Sequence, residues 1–292
     1  MEFRTLTYFL MVAREENITK AAQLLHITQP TLSRQLMQLE EELGVKLFKR
    51  SSHNIVLTEE GMLLKRRAQE LVSLAEKTKQ DLRQSEQELN GEITIGSGEF
   101  LSMDYFSRLL KAFRKQHPKV RFHFYSGNAN AIRERIEMGL LDIGLLFQVS
   151  DIRKYEIITI PIQEEWGILT PNSSELAKKK SILMEDLLGK ELILPERFFQ
   201  FKEFAEWFQG QIDTLKVVAT FNLLYNGAIM VRNELGHAIC IKLNATYEGL
   251  TFVPLFPTIQ ANSIMAWKKG QVLSPTLEVF LEFAKKYIQG IS

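Results

Sequence analysis

Between Asn17 and Gly44 the chain reads NITKAAQLLHITQPTLSRQLMQLEEELG, two helical patterns separated by a break of only two residues, His26-Ile27. No other feature narrows the fold as much, because two helices joined so tightly must cross steeply and share one core. Asn17 predicts the N-cap of a helix from Ile18 to Leu25, with Ala21, Ala22, Leu24 and Leu25 available for close packing. Thr28 predicts the next N-cap. Pro30 fits the first turn of that helix, where a missing N–H costs nothing. The second helix is expected to bury Leu32, Leu36, Leu39 and Leu43 and to stop at Gly44. Ahead of both, Phe3, Leu6, Phe9, Leu10 and Ala13 recur at helical spacing and predict a third, N-terminal helix.

The exposed side of the Thr28 helix carries Gln29, Thr31, Ser33, Arg34 and Gln38. Gln can bond an adenine edge in bidentate fashion, Arg a guanine edge, and hydroxyl side chains reach bases or phosphates. Plain solvation also explains polar residues on one helix face, so the neighbouring sequence matters. Lys46-Leu47-Phe48-Lys49-Arg50, Ser51-Ser52-His53-Asn54 and Ile55-Val56-Leu57 predict a short hairpin with a basic, turn-rich tip. The net charge of the chain is only +1. Locally, however, the sole charges from Asn17 to Leu39 are Lys20 and Arg34, and from Leu43 to Thr58 they are Lys46, Lys49 and Arg50. Helix, turn, exposed polar helix and basic wing, in that order, fit an element that docks in a major groove.

The run AAQLLHITQPTLSRQLMQLEEELGVKLFKR, with VLTEEG at 56–61, resembles the N-terminal signature of LysR-type transcriptional regulators over about forty ungapped residues. The resemblance implies Lys20, Thr28, Gln29, Pro30, Thr31, Ser33, Arg34, Gln38, Lys49, Arg50 and His53 as the DNA-binding set. His53 departs from the family, which often places a second basic residue in the wing; a contact there would be weaker or pH-dependent. The implied partners are double-stranded DNA with a pseudo-palindromic operator, a second copy in a homodimer, a homotetramer built from two dimers, a small-molecule effector and RNA polymerase.

From Thr58 to about Asn90 there is no Pro and a single Gly, and Leu64, Ala68, Leu71, Ala75, Thr78, Leu82, Ser85 and Leu89 alternate at spacings of four and three. This predicts a helix of roughly 45 Å with a modest heptad seam. A two-fold dimer through Leu64, Leu71, Leu82 and Leu89 would hold two reading helices a fixed distance apart. The alternative is a long helix packed on its own domain.

After Asn90-Gly91 strand and helix patterns alternate: strand Glu92–Gly96, helix Tyr105–Gln116, strand Val120–Tyr125, helix Asn130–Gly139, strand Asp142–Phe147. Further strands are expected at Ile157–Pro161, Glu165–Thr170, Glu191–Leu194, Lys216–Ala219, Ala238–Lys242, Leu250–Leu255 and Ser263–Lys268, with a last helix over Ser274–Ile288. GEITIG, HPKVRFHFY and LLDIGLL resemble the LysR-type effector domain, itself similar to periplasmic solute-binding proteins. The fold class expected is therefore multidomain: an all-α winged helix-turn-helix (1–58), a long linker helix (59–90) and a two-lobed α/β effector domain (91–292). Lobe I would be 91–160 with 268–292, and lobe II 161–267.

In open α/β folds ligands bind beyond the carboxyl ends of the strands. That rule selects Ser97, Gly98, Glu99, Phe100 and Asn128 in lobe I, and Pro195, Arg197, Phe198 and Asn222 in lobe II, as the effector-binding set. Glu99 would repel a carboxylate effector unless a cation such as Arg197 neutralises it. Most of the aromatic stretch Phe198, Phe199, Phe201, Phe204, Trp207 and Phe208 is expected to be lobe II core. VRNELGHAICIK has Asn233 and Glu234 where the family usually has small residues, and lacks its Pro.

Composition excludes other classes. With 45% hydrophobic and 24% charged residues this is a soluble globular composition, and no apolar run of 18 residues predicts a membrane span. The amphipathic N-terminus is not expected to act as a signal peptide. Cys240 is the only cysteine, so no internal disulfide can form, and the cytoplasm is the natural compartment. No HExxH, CxxC, GxSxG or Walker pattern is present, Leu101 stands where a dinucleotide fingerprint needs its third Gly, and the five histidines are scattered. No catalytic role, metal or cofactor is expected.

Overall fold

The computed structural model describes residues 1–50, 55–82, 89–147 and 152–290. The chain divides into two compact units, Met1–Arg83 and Gln84–Ser292.

The first unit runs α1 (Phe3–Glu15), α2 (Ile18–Leu24), α3 (Gln29–Leu43), β1 (Phe48–Arg50), β2 (Ile55–Leu57) and α4 (Glu59–Leu82). The Asn17 side chain caps α2 by accepting the Lys20 amide. His26 closes the turn between α2 and α3 at φ 55°, a left-handed conformation that His, like Asn and Asp, adopts more readily than most residues with a side chain. Pro30 sits in the first turn of α3 and Gly44, at φ 68°, ends it. Leu6, Phe9, Val12, Ala21, Ala22, Leu32, Leu36 and Leu39 make one core. Leu24 and Leu43 are instead exposed (47% and 38%), because each lies in the last turn of its helix, beyond the crossing.

The wing is an antiparallel hairpin with Phe48 opposite Leu57. Its base is held by Thr58, whose Oγ1 donates to the Lys46 carbonyl at 2.6 Å and accepts the Gly61 amide at 2.9 Å. A Cβ on Gly61 would lie 2.1 Å from the Leu47 carbonyl oxygen, so a side chain there would force the backbone to shift.

The α4 helix, Glu59–Leu82, packs through its N-terminal half on its own unit. Ala68 is fully buried in the core of the first unit, with Leu64 and Val72 packed against it. Leu64 therefore corrects the expected seam: spacing near 3.6 turns it, with Ala68, onto its own unit. Leu89 is a second correction, since it lies outside the helix and packs against the core of the second unit. Leu71, by contrast, is exposed, as are Met62, Leu63 and Leu74. The Leu82 side chain lies outside the described residues.

In the second unit, lobe I runs β3 (Gly91–Ser97), α5 (Met103–Gln116), β4 (Val120–Ser126), α6 (Ala129–Glu137) and β5 (Ile143–Leu146). A 17-residue strand, β6 (Tyr155–Pro171), then leads into lobe II. There follow α7 (Met184–Leu187), β7 (Glu191–Pro195), α8 (Lys202–Trp207), β8 (Lys216–Phe221), α9 (Leu224–Arg232), β9 (His237–Ile241) and β10 (Leu250–Pro254). The chain returns through β11 (Gln260–Lys268) to α10 (Pro275–Ile288), which packs on the lobe I core through Leu277, Phe280, Leu281 and Ala284. The sheet order is β4-β3-β5-β11-β6-β9-β7-β8, and β10 pairs with the end of β6 on the edge opposite β9. Strand β3 pairs parallel with β4 and β5, and β7 parallel with β8 and β9.

Strands β6 and β11 connect the lobes. The sequence suggests a break at Pro161, yet one strand passes through it. The β6–β11 register shifts between Asn262 and Ile264, and the Asn262 side chain donates to the carbonyls of Ile160 and Ile162, flanking the proline that has no N–H to give. Residues 264–266, expected in lobe II, pair with Gly144–Leu146 of lobe I. Glu164, fully buried on β6, accepts the amides of Leu101 and Ser102 at 2.9 and 3.0 Å, and Ser263 bonds Ser102 at 2.6 Å. The crossing strands are thus fastened to the start of α5.

Candidate DNA-reading surface and interlobe cleft

Pro30 and the Gly44 stop set α3, and its buried Leu32-Leu36-Leu39 stripe points the opposite side outward. Thr28, Gln29, Pro30, Thr31, Arg34 and Gln38 are exposed and Ser33 is half-buried. Their polar groups are held locally: Thr28 and Thr31 hydroxyls lie 2.8 Å apart, Gln29 Nε2 donates to Ser33 at 2.9 Å, and Gln35 donates to Gln38 at 3.2 Å. Such pairing keeps rotamers ordered while leaving the donors and acceptors facing solvent. Lys20 is paired with Glu15 at 2.7 Å, and Arg14 with the same carboxylate. Those two cations hold the Glu15 carboxyl below the usual range. A phosphate contact by Lys20 would have to share this pair. Lys49 is exposed on β1; the Arg50 side chain and His53 lie outside the described residues.

The second site is a cavity of about 220 Å³ between the lobes. It is built where the strands of each lobe end: after β3, between β4 and α6, after β7, and between β8 and α9. Gly98, Glu99, Phe100, Asn128, Pro195, Arg197 and Asn222 line it, as the topology rule predicts. Two expected residues do not. Ser97 is buried with its hydroxyl donated to the Gly98 carbonyl at 2.7 Å. Phe198 is 0% exposed in the lobe II core, because the turn after β7 folds its ring inward against Phe204 at 4.2 Å. Phe201, three residues on, is the ring of that stretch that reaches the cavity.

Sequence periodicity also missed Phe147, Trp166 and Phe221 on the cavity wall. Every residue of β5 is buried, and so are Trp166 and residues 168–170 of β6, so alternation cannot tell which face meets a cleft. Phe147, Trp166 and Phe201 form a mutual edge-to-face trio at 5.8, 5.9 and 5.7 Å between centroids.

Side-chain hydrogen bonds cross the cleft. Asn128 Nδ2 donates to Glu196 at 2.9 Å while its Oδ1 caps α6 by accepting the amides of Asn130 and Ala131. Glu99 accepts the amide of Leu224, the first residue of α9. Arg197 donates through Nε to Gln200 at 2.9 Å; burial and then the neighbouring Arg133 lower its guanidinium's hold on a proton, against Glu196. Cys240, buried on β9, has its thiol pushed by burial up to about 12, so no thiolate is present at neutral pH. Asn233 and Glu234 close the α9–β9 turn: Asn233 caps Ile229 at 2.8 Å, and Glu234 takes φ 59°. Among the described residues no cluster of His, Cys, Asp or Glu could hold a metal ion, and no helix is long and apolar enough to cross a membrane.

Comparison with known proteins places both sites in one context. Residues 3–62 match the model of the bacterial regulatory helix-turn-helix protein of the lysR family, and residues 86–289 that of the LysR substrate binding domain. The chain is 28% identical over 293 residues to the uncharacterized HTH-type transcriptional regulator YybE of Bacillus subtilis, covering 97% of this chain and 98% of that one. It is 29% identical to YwbI of the same organism, covering 99% and 97%. Among solved structures, full-length CbnR complexed with its target DNA is similar in fold, with TM-score 0.76, 23% identity and coverage of 98% and 99%.

Proposed function

Since this chain belongs to the LysR family of transcriptional regulators, a DNA-binding and not a catalytic class, we propose that it reads a pseudo-palindromic operator as a homodimer or homotetramer and answers to a small molecule bound between its lobes. The observation that carries the reading is the α3 face: Thr28, Gln29, Thr31, Arg34 and Gln38 stand exposed, ordered, and beside a two-stranded wing. Arg34 and Gln38 would read base edges, the hydroxyl residues and Lys49 would meet phosphates, and Arg50 and His53 would extend the contact through the wing tip. Leu71, with Leu63 and Leu74, offers the apolar surface for a second copy.

The cleft supports the effector half of the proposal. It is concave, mostly apolar and placed where two lobes can change their relative angle about β6 and β11. A ligand with different affinity for two lobe arrangements would shift the balance between two dimer arrangements on DNA. RNA polymerase is the further partner of a regulator that activates, and the cytoplasm is where such a protein would work. Footprinting on the DNA beside its own gene, with and without candidate metabolites, tests both halves. A protected two-fold site that changes on metabolite addition is expected; absence of any protected site would sink the DNA half, and a site indifferent to all metabolites the effector half.

A further inference from the structure

Among the described residues, the charged side chains that line the interlobe cavity already have hydrogen-bond partners. Asn128 is bonded to Glu196, Arg197 to Gln200, and Glu99 to the amide that opens α9. The last contact carries the most information. The N-terminus of a helix of nine residues attracts an anion through its free amides and its dipole. Here the anion is a side chain of the opposite lobe. A carboxylate ligand seated there would have to displace Glu99, and would face Glu196 as well. Among the described residues of the cavity lining, the one cationic attraction would be Arg197, already held by Gln200 and lying over the Phe201 ring at 6.0 Å.

What remains of the cavity suits a different ligand. Phe147, Trp166 and Phe201 supply an aromatic wall, and among the described residues the Asn222 side chain has no protein hydrogen-bond partner. The volume, about 220 Å³, lies below the ~300–1,000 Å³ of pockets for drug-sized molecules and suits an occupant of about one ring. Resting on the reading of this cleft as the effector site, we propose that Glu99 is a resident anion that excludes carboxylates from α9, and that the cleft takes a small uncharged aromatic molecule.

The test uses the full chain and two probes of the same shape, benzyl alcohol and benzoate, titrated by calorimetry or ligand-observed NMR. The unsubstituted chain is expected to bind benzyl alcohol about tenfold more tightly than benzoate, the factor that ~1.4 kcal/mol represents. Glu99→Ala vacates the α9 amides and is expected to raise benzoate affinity about tenfold. Glu99→Gln keeps an acceptor for Leu224 and so keeps the lobes tied; removal of the charge alone is expected to raise benzoate affinity about threefold. Phe201→Ala removes one ring of the wall and should weaken both probes. Tighter binding of benzoate than of benzyl alcohol by the unsubstituted chain overturns the proposal. So does benzoate affinity unmoved by both Glu99 variants, a Phe201→Ala chain that binds unchanged, or no binding of either probe by any chain. The footprint that tests the effector reading does not depend on these variants, so the two can fail separately.

Discussion

The carboxylate of Glu40, near the end of α3, accepts the backbone amide of Leu47 at 2.8 Å, tying α3 to the strand that follows it. The same carboxylate takes the Phe48 amide at 3.3 Å and Lys46 Nζ at 2.7 Å. Glu40→Ala leaves these donors without their anion and should cost about 1.5–3 kcal/mol, the range for hydrogen bonds to a charged group. Faster hydrogen exchange at the Leu47 and Phe48 amides is the readout, and unchanged exchange would refute the tie.

The same contact gives a pH dependence with a fixed sign. Burial pushes the Glu40 carboxyl up, but the bonds from Lys46, Leu47 and Phe48 outweigh it and hold the carboxyl below its usual value. The unfolded chain therefore takes up this proton at a higher pH than the folded chain does. The contribution is complete above the ordinary glutamate value, about 4.3, and is lost as pH falls through the depressed folded value. The stability gap between the unsubstituted chain and Glu40→Gln should be constant near neutrality and shrink only in that acidic window; a gap that grows on acidification would contradict the assignment.

Gly61→Ala should destabilise the first unit by about 1–3 kcal/mol, as overpacking does, because the new methyl meets the Leu47 carbonyl oxygen at 2.1 Å. Far-UV thermal melts of the full chain would show a lowered first transition. A melt within error of the unsubstituted chain would mean that the α4 entry relaxes freely.

Arg34→Ala should weaken operator binding about 10- to 100-fold, the range for losing one bidentate base contact, with little change on unrelated DNA. Fluorescence anisotropy with both DNAs separates the two effects. An equal loss on both would make Arg34 a phosphate contact.

Leu71→Glu places a charge on an exposed apolar surface of α4 and should raise the dimer dissociation constant about tenfold or more, since burying one leucine is worth ~1.5–3 kcal/mol. Sedimentation velocity at several concentrations would read it. An unchanged constant would move the interface elsewhere.

Much of this protein was legible from local signals. Asn17, Pro30 and Gly44 marked helix ends because a cap, a missing N–H and a left-handed residue act within one turn of chain. The cleft loops followed from strand order, since the carboxyl ends of parallel strands converge by topology. The heptad reading of α4 failed at Leu64 and Leu89 for an equally physical reason. A seam of spacing three and four does not say whether it meets a partner or its own core, and only the packing of Ala68 beneath α1 decides.

The helix-turn-helix, the wing and the α/β alternation follow from local sequence, because each is set by contacts between near neighbours. Tertiary structure alone decided that Phe201 and not Phe198 faces the cavity, and that Trp166 and Phe147 join it, because strands buried on both faces carry no alternation. It also decided the fate of Glu99, a charge that sequence could only mark as awkward. Its partner, the Leu224 amide, lies 125 residues away in the other lobe, and a pairing at that range exists only once both lobes are folded and facing.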